Sequence, residues 1–231
     1  MPNLVTVFDC KWDQDGERYF ETGVRRGVLY PKTGANGAYA AGVVWNGLTS
    51  VSESPEGGDA NDMWADDIKY ASLRAVETFG GTIEAYTYPD EFEVCDGTAS
   101  VNGAKLGQQP RKPFGFCYRT AIGSDQDTAM EAYKLHIVYG ATASPSEKTY
   151  ETINDSPEGM TFSWEFDTVP VEVEGHPELK PVSLITISSL DVVPEKLNAL
   201  EVILYGTPAN GQTAAIPARL PLPSEVLSII A

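Results

Sequence analysis

Alternation of large and small residues, repeated along much of the chain, commits this sequence to β structure. Phe162, Trp164 and Phe166 alternate with Ser163, Glu165 and Asp167, and Phe114, Phe116 and Tyr118 alternate with Gly115, Cys117 and Arg119. Tyr133, Leu135, Ile137 and Tyr139 alternate with Lys134, His136 and Val138, and similar runs occupy 82–87 and 182–188. Successive strand side chains point to opposite faces, so a period of two gathers the large residues on one side. A face of that kind has to be covered, which predicts a two-layer, sandwich-like arrangement. Asn-Gly at 36–37, 46–47, 102–103 and 210–211 supplies residues that accept positive φ. The pair Asn46-Gly47, set between Gly42–Trp45 and Leu48–Val51, is the strongest hairpin signal.

One helix is predicted at about 191–205. Asp191 is placed to cap it, Pro194 and Glu195 suit its first turn, Leu197, Leu200, Ile203 and Leu204 form an apolar stripe, and Gly206 ends it. The Pro-rich stretch at about 217–231 reads as a strap across the surface, anchored by Val226, Leu227, Ile229 and Ile230. No low-complexity linker divides the 231 residues, so the expectation is one domain, 1–231, mainly β, with one flanking helix and long loops.

Charge narrows the function. Asp plus Glu number 33 against 16 Lys plus Arg, a net charge of −17. Such a chain repels phosphate backbones and anionic lipid, which argues against nucleic-acid binding through a basic surface and against membrane attachment. No run approaches the roughly 20 apolar residues of a membrane span. The N-terminus lacks a basic region followed by an apolar stretch, so no signal peptide is expected. Three well-separated cysteines, Cys10, Cys95 and Cys117, suit reduced thiols.

Signals for bond-making chemistry are few. The two histidines, His136 and His176, both read as structural, one on the polar face of a strand and one in an acidic stretch before Pro177. The elbow Gly-x-Ser-x-Gly, the phosphate loop and His-Glu-x-x-His are absent. Asp125, Asp127 and Glu131 lack the central glycine of a calcium loop. Asp59, Asp62, Asp66 and Asp67 cluster near Trp64, and Asp90, Glu91, Glu93 and Asp96 near Tyr86, Tyr88 and Phe92. Acids beside aromatics suit a sugar site, and they equally suit a solvated loop. No residue is nominated as catalytic, metal-ligating or cofactor-binding, and no cofactor is expected. A β-sandwich module that binds carbohydrate or a cell-surface partner stays open as an alternative, with a glycoside hydrolase behind it.

Several longer segments are specific. They are Gly16–Pro31, Trp45–Thr49 running to Ser52–Gly57, Phe79–Phe92, Gly107–Lys112, Tyr133–His136 and Tyr150–Glu158. In order and length they resemble the major tail protein, or tail tube protein, of siphophages and prophages of Gram-positive bacteria. That resemblance implies a β-sandwich or barrel-like subunit with a flanking helix, closed into hexameric rings that stack into a tube. It implies a structural virion protein with no enzyme activity, assembled in the host cytoplasm into the phage tail. Its partners would be copies of itself, the tape-measure protein, and the tail terminator and distal tail proteins. Double-stranded DNA would pass through the channel without specific binding during ejection.

Candidate contact residues between subunits are Phe20, Arg25, Arg26, Tyr30, Trp45 and Trp64, because large aromatics and Arg are enriched at interfaces. For Phe20, Tyr30 and Trp45, a place in the subunit's own core is the competing expectation. Asp59, Asp62, Asp66 and Asp67 are candidates for an acidic lumen or loop.

Overall fold

The computed structural model describes residues 12, 14–33, 38–58, 60–126, 131–150, 152, 155, 159–210 and 214–231. Within them the chain is mainly β, sandwich-like and flanked by helices, as the alternation requires. Strands β1 (Tyr19–Pro31), β2 (Val43–Trp45), β3 (Leu48–Glu56), β6 (Thr78–Ala85), β9 (Phe114–Ser124), β10 (Ala132–Ala143) and β11 (Phe162–Thr168) form one antiparallel sheet. Its order is β2-β1-β9-β10-β11-β6-β3, and β12 (Leu184–Ser188) pairs with β10 off that path. Two hairpins stand apart: β4 (Ala60–Ala65) with β5 (Ile68–Arg74), and β7 (Ala99–Val101) with β8 (Ala104–Leu106).

Strand β10 changes partner partway along its length. Lys134–Val138 pair with β12, whereas Ala141–Ala143 pair with β11. The change falls at Gly140, which has a φ of 61° and lies between the shifted registers of Val138 and Ala141. A side chain there would come within 2.3 Å of the Val169 carbonyl oxygen, so only glycine lets the sheet bend at this point.

The bend creates two cores on opposite faces of β9 and β10. On one face Phe114, Phe116 and Tyr118 meet Leu29, Trp45, Ile83, Phe92, Trp164 and Phe166. The rings there pack edge to face, as aromatic quadrupoles prefer: Trp45 and Trp164 have centroids 5.6 Å apart at 67°, and Phe92 and Trp164 5.1 Å at 77°. On the other face Cys117, Leu135, Ile137 and Tyr139 pack against two helices, α1 (Pro194–Tyr205) and α2 (Pro223–Ile230). Phe114, Phe116 and Tyr118 share one side of β9, and Leu135, Ile137 and Tyr139 one side of β10, as their alternation predicts.

Three local expectations are corrected. Asn46-Gly47 does not close a hairpin, because β2 pairs with β1 while β3 pairs with β6. Trp45 joins the aromatic core from β2 and Leu48 packs against the same core from β3, so the pair links the two ends of the sheet path. Asp191 does not cap α1; Val193 holds that position and Pro194 opens the first turn, where its missing N–H costs nothing. The C-terminal strap ends in α2, again with Pro at the start. Proline at a first helical position starts a helix, because its missing N–H has no partner to lose there. The extended part of the strap lies against the sheet, where the Tyr139 hydroxyl donates to the Pro221 carbonyl at 3.0 Å. Of the other Asn-Gly pairs, Asn102-Gly103 forms the β7–β8 turn with both φ values positive, while 36–37 and Gly211 lie outside the described residues.

Candidate assembly surface

The insertion between β3 and β6 is a free-standing arm. β3 and β6 pair as far as Glu56 and Thr78, and the ribbon continues as β4 and β5, paired from Ala60 with Arg74 to Ala65 with Ile68. Asp66 and Asp67 make the two-residue turn, with φ values of 51° and 60°. That is the twist-matched turn of a tight hairpin, and Asp tolerates the left-handed region better than most residues. Residues 60–65 are therefore strand and 66–67 a tight turn, where an acidic loop was expected.

Every residue of β4 is exposed, and in β5 only Ala71 is partly covered. Met63, Trp64, Ile68, Tyr70 and Leu73 lie in the open, with Trp64 69% and Tyr70 70% accessible. Val76, at the base, is 85% accessible. A two-stranded ribbon is marginal by itself in water, and large contiguous apolar groups mark a contact surface. Of the acids placed there, Asp62 is tied down: Lys69 Nζ lies 2.7 Å from its Oδ1 and the Ser72 hydroxyl donates to it at 2.8 Å. Those two groups hold its carboxyl below the usual carboxylate range. Asp59 lies outside the described residues.

The nominated contact residues divide between surface and core. Tyr30 is fully buried and Trp45 2% accessible, so both are spent inside the subunit and are removed from the contact set. Tyr30 donates its hydroxyl to the Leu204 carbonyl at 2.7 Å, which joins β1 to α1. Phe20 is half exposed and lies over Gly123, whose missing side chain makes room for the ring. Arg25 and Arg26 are exposed on β1, beside an irregularity where Arg26 takes a φ of 56°. Trp64 is on the arm. Sequence reasoning overlooked Met63, Ile68, Tyr70 and Leu73. Their signal was present in Ile68 and Tyr70 alternating with Lys69 and Ala71, but the surrounding acids made the stretch read as a loop.

The polar groups of the interior fasten layers together. His136 is stacked on Tyr118, with centroids 4.6 Å apart and 3° between planes. Its Nδ1 lies 3.0 Å from Glu53 Oε1 and its Nε2 3.0 Å from Thr120 Oγ1, and the Tyr118 hydroxyl donates to Glu53 at 2.5 Å. Acid, imidazole and hydroxyl stand in relay order. Thr120, however, lies in mid-strand with β1 on one side and β10 on the other, so the ladders occupy the backbone around it. The cluster joins β3 to β9 and β10 across the first core.

A pH dependence follows from that cluster. His136 first, and then the Tyr118 hydroxyl, hold the Glu53 carboxyl below its ordinary value of 4.5. A carboxyl lowered by folding stabilises the fold above its ordinary range, and that contribution is lost as pH falls through the lowered value. Glu53→Gln should therefore flatten the loss of stability below about pH 4.5. The effect is modest because 33% of the side chain is exposed and solvent screens it. Urea unfolding at a series of pH values measures it, and an unchanged acid slope would contradict this role.

Two acids of the second cluster have their own cations. Glu93 pairs with Lys105, and Asp96 with Lys148 at 2.6 Å and Arg111 at 3.9 Å. His176 lies beside Glu178 at 3.0 Å on the surface. Asp125 accepts from the Gly16 amide at 3.0 Å, and Asp127 lies outside the described residues. Burial pushes the Cys95 and Cys117 thiols up to about 12, so both remain protonated and inert, and Cys10 lies outside the described residues. Among the described residues no cluster of His, Cys, Asp and Glu is arranged to hold a metal ion, and no helix is long and apolar enough to cross a membrane. Compared with family models and with curated proteins, the chain finds no match in either.

Proposed function

We propose that this chain is a structural subunit without enzyme activity, a tail tube protein that closes into rings, which stack into the hollow tail of a virion. The observation that carries the reading is the exposed arm. Met63, Trp64, Ile68, Tyr70 and Leu73 on a bare two-stranded ribbon call for a partner surface, and a second copy is the partner always at hand. Strand β3 supports it from another direction. Among the described residues it ends the sheet path with a partner on one side only, and Pro55, which has no N–H, blunts uncontrolled edge pairing there. Recognition then falls to the side chains of the arm. The order of segments from Gly16 to Glu158 resembles the tail tube family and supplies the architecture, hexameric rings with the tape-measure protein inside and the tail terminator and distal tail proteins at the ends.

The charge of −17 fits a conduit for DNA. Each phosphate neutralised by Lys or Arg would add affinity and drag, whereas carboxylates facing the channel keep a duplex near the axis. Only charges within about 8 Å of the duplex act strongly at physiological salt. Sedimentation and negative-stain imaging of the purified protein test the reading, with rings or tubes expected. A protein that stays monomeric at high concentration and is retained by a saccharide column would replace it with the binding-module alternative.

A further inference from the structure

We infer that the turn of one arm docks into the cleft at the base of the arm of a second copy; this rests on the self-assembly reading and names the contact. The cleft measures about 830 Å³ and lies between the arm's base and the loop leading to β12. Among the described residues, Val76, Phe79, Pro170 and Leu184 line it, together with two exposed cations, Arg74 and Lys180, and one acid, Glu77. An excess of cations is unusual in a chain with twice as many acids as bases. Ser183 also lines it, and its hydroxyl, on a residue 6% accessible, has no hydrogen-bond partner among the described residues.

The turn presents complementary chemistry. Trp64 offers a large apolar ring, 69% accessible, and Asp66 and Asp67 offer two exposed carboxylates. The ring matches the apolar walls, and the two carboxylates match the two cations. The turn cannot reach its own cleft. From Ile68 to Arg74 the arm runs seven strand residues, whose steps of roughly 3.3 Å span about 20 Å end to end. The contact is therefore between copies.

The test is a charge exchange, read as the concentration at which the protein assembles in sedimentation, with circular dichroism confirming the fold. Asp66→Lys with Asp67→Lys, and separately Arg74→Glu with Lys180→Glu, should each raise that concentration roughly 30-fold, the scale of an interface hot spot. Asp66→Asn with Asp67→Asn, which keeps residues suited to the turn, should raise it less but in the same direction. Mixing the two exchanged variants one to one should restore assembly, since the basic turn of one meets the acidic cleft of the other. A parent that assembles alongside variants that assemble equally well overturns the docking alone, as does a folded, impaired pair that fails to recover on mixing. A parent that never assembles overturns the docking and the self-assembly reading together.

Discussion

Replacing residues 57–77 with Asn-Gly is expected to abolish assembly while leaving the remaining fold intact. Glu56 and Thr78 are already paired across β3 and β6, so a two-residue turn can join them with strand twist preserved. The excised ribbon pairs with itself, exposes nearly all its side chains and adds no residue to either core. Thermal unfolding should therefore stay close to that of the parent, and sedimentation should show the monomer at every concentration at which the parent forms rings or tubes. Persistent assembly of the shortened chain would mean that copies meet through other surfaces, with Arg25 and Arg26 on β1 the first to examine. A collapse in thermal stability would mean that the arm supports the fold, which its exposure argues against.

The largest effect on stability is expected from Glu201→Ala. Arg119, on β9, has its side chain 7% accessible, beneath α1. Glu201 of α1 pairs with its guanidinium, the Tyr205 hydroxyl accepts from Nε at 3.2 Å, and the Tyr133 ring lies 4.0 Å from the guanidinium carbon. The Tyr133 hydroxyl donates to Glu201 at 2.5 Å, so one carboxylate serves two partners, the buried Arg119 and the partly buried Tyr133. Removing it leaves an uncompensated charge among aromatic rings, which costs about 3–5 kcal/mol. For a chain of this size that lowers the melting temperature by roughly 6–20 °C. Replacing both residues with apolar ones of similar volume, Arg119→Met with Glu201→Leu, should recover most of the loss, because the cost lies in the orphaned charge more than in the missing attraction. Calorimetry of the single and double variants decides it. A single variant within about 1 kcal/mol of the parent would show that solvent reaches the guanidinium.

Much of the fold was legible because a strand's side-chain period is local. That Phe114, Phe116 and Tyr118 share one side of β9, and Leu135, Ile137 and Tyr139 one side of β10, follows from alternation alone. So does α1, whose stripe of Leu197, Leu200 and Leu204 is buried as its spacing requires. The arm was less legible. Its strands carry the same alternation, but Asp62, Asp66 and Asp67 dominate the reading of a stretch in which no face is buried.

Strand content, the sidedness of each strand, the main helix and the acidic balance were written in the residues, because each depends on neighbours a few positions away. Pairing was not, because which strands meet is settled by contacts between residues far apart in the chain. Trp45 and Leu48 pack on the aromatic core from β2 and β3, so Asn46-Gly47 links the two ends of the sheet path; Gly140 alone escapes the Val169 carbonyl, so β10 bends there and serves two partners. The same long-range packing left one hairpin without a layer to cover it, and that uncovered ribbon is the surface on which the proposed function rests.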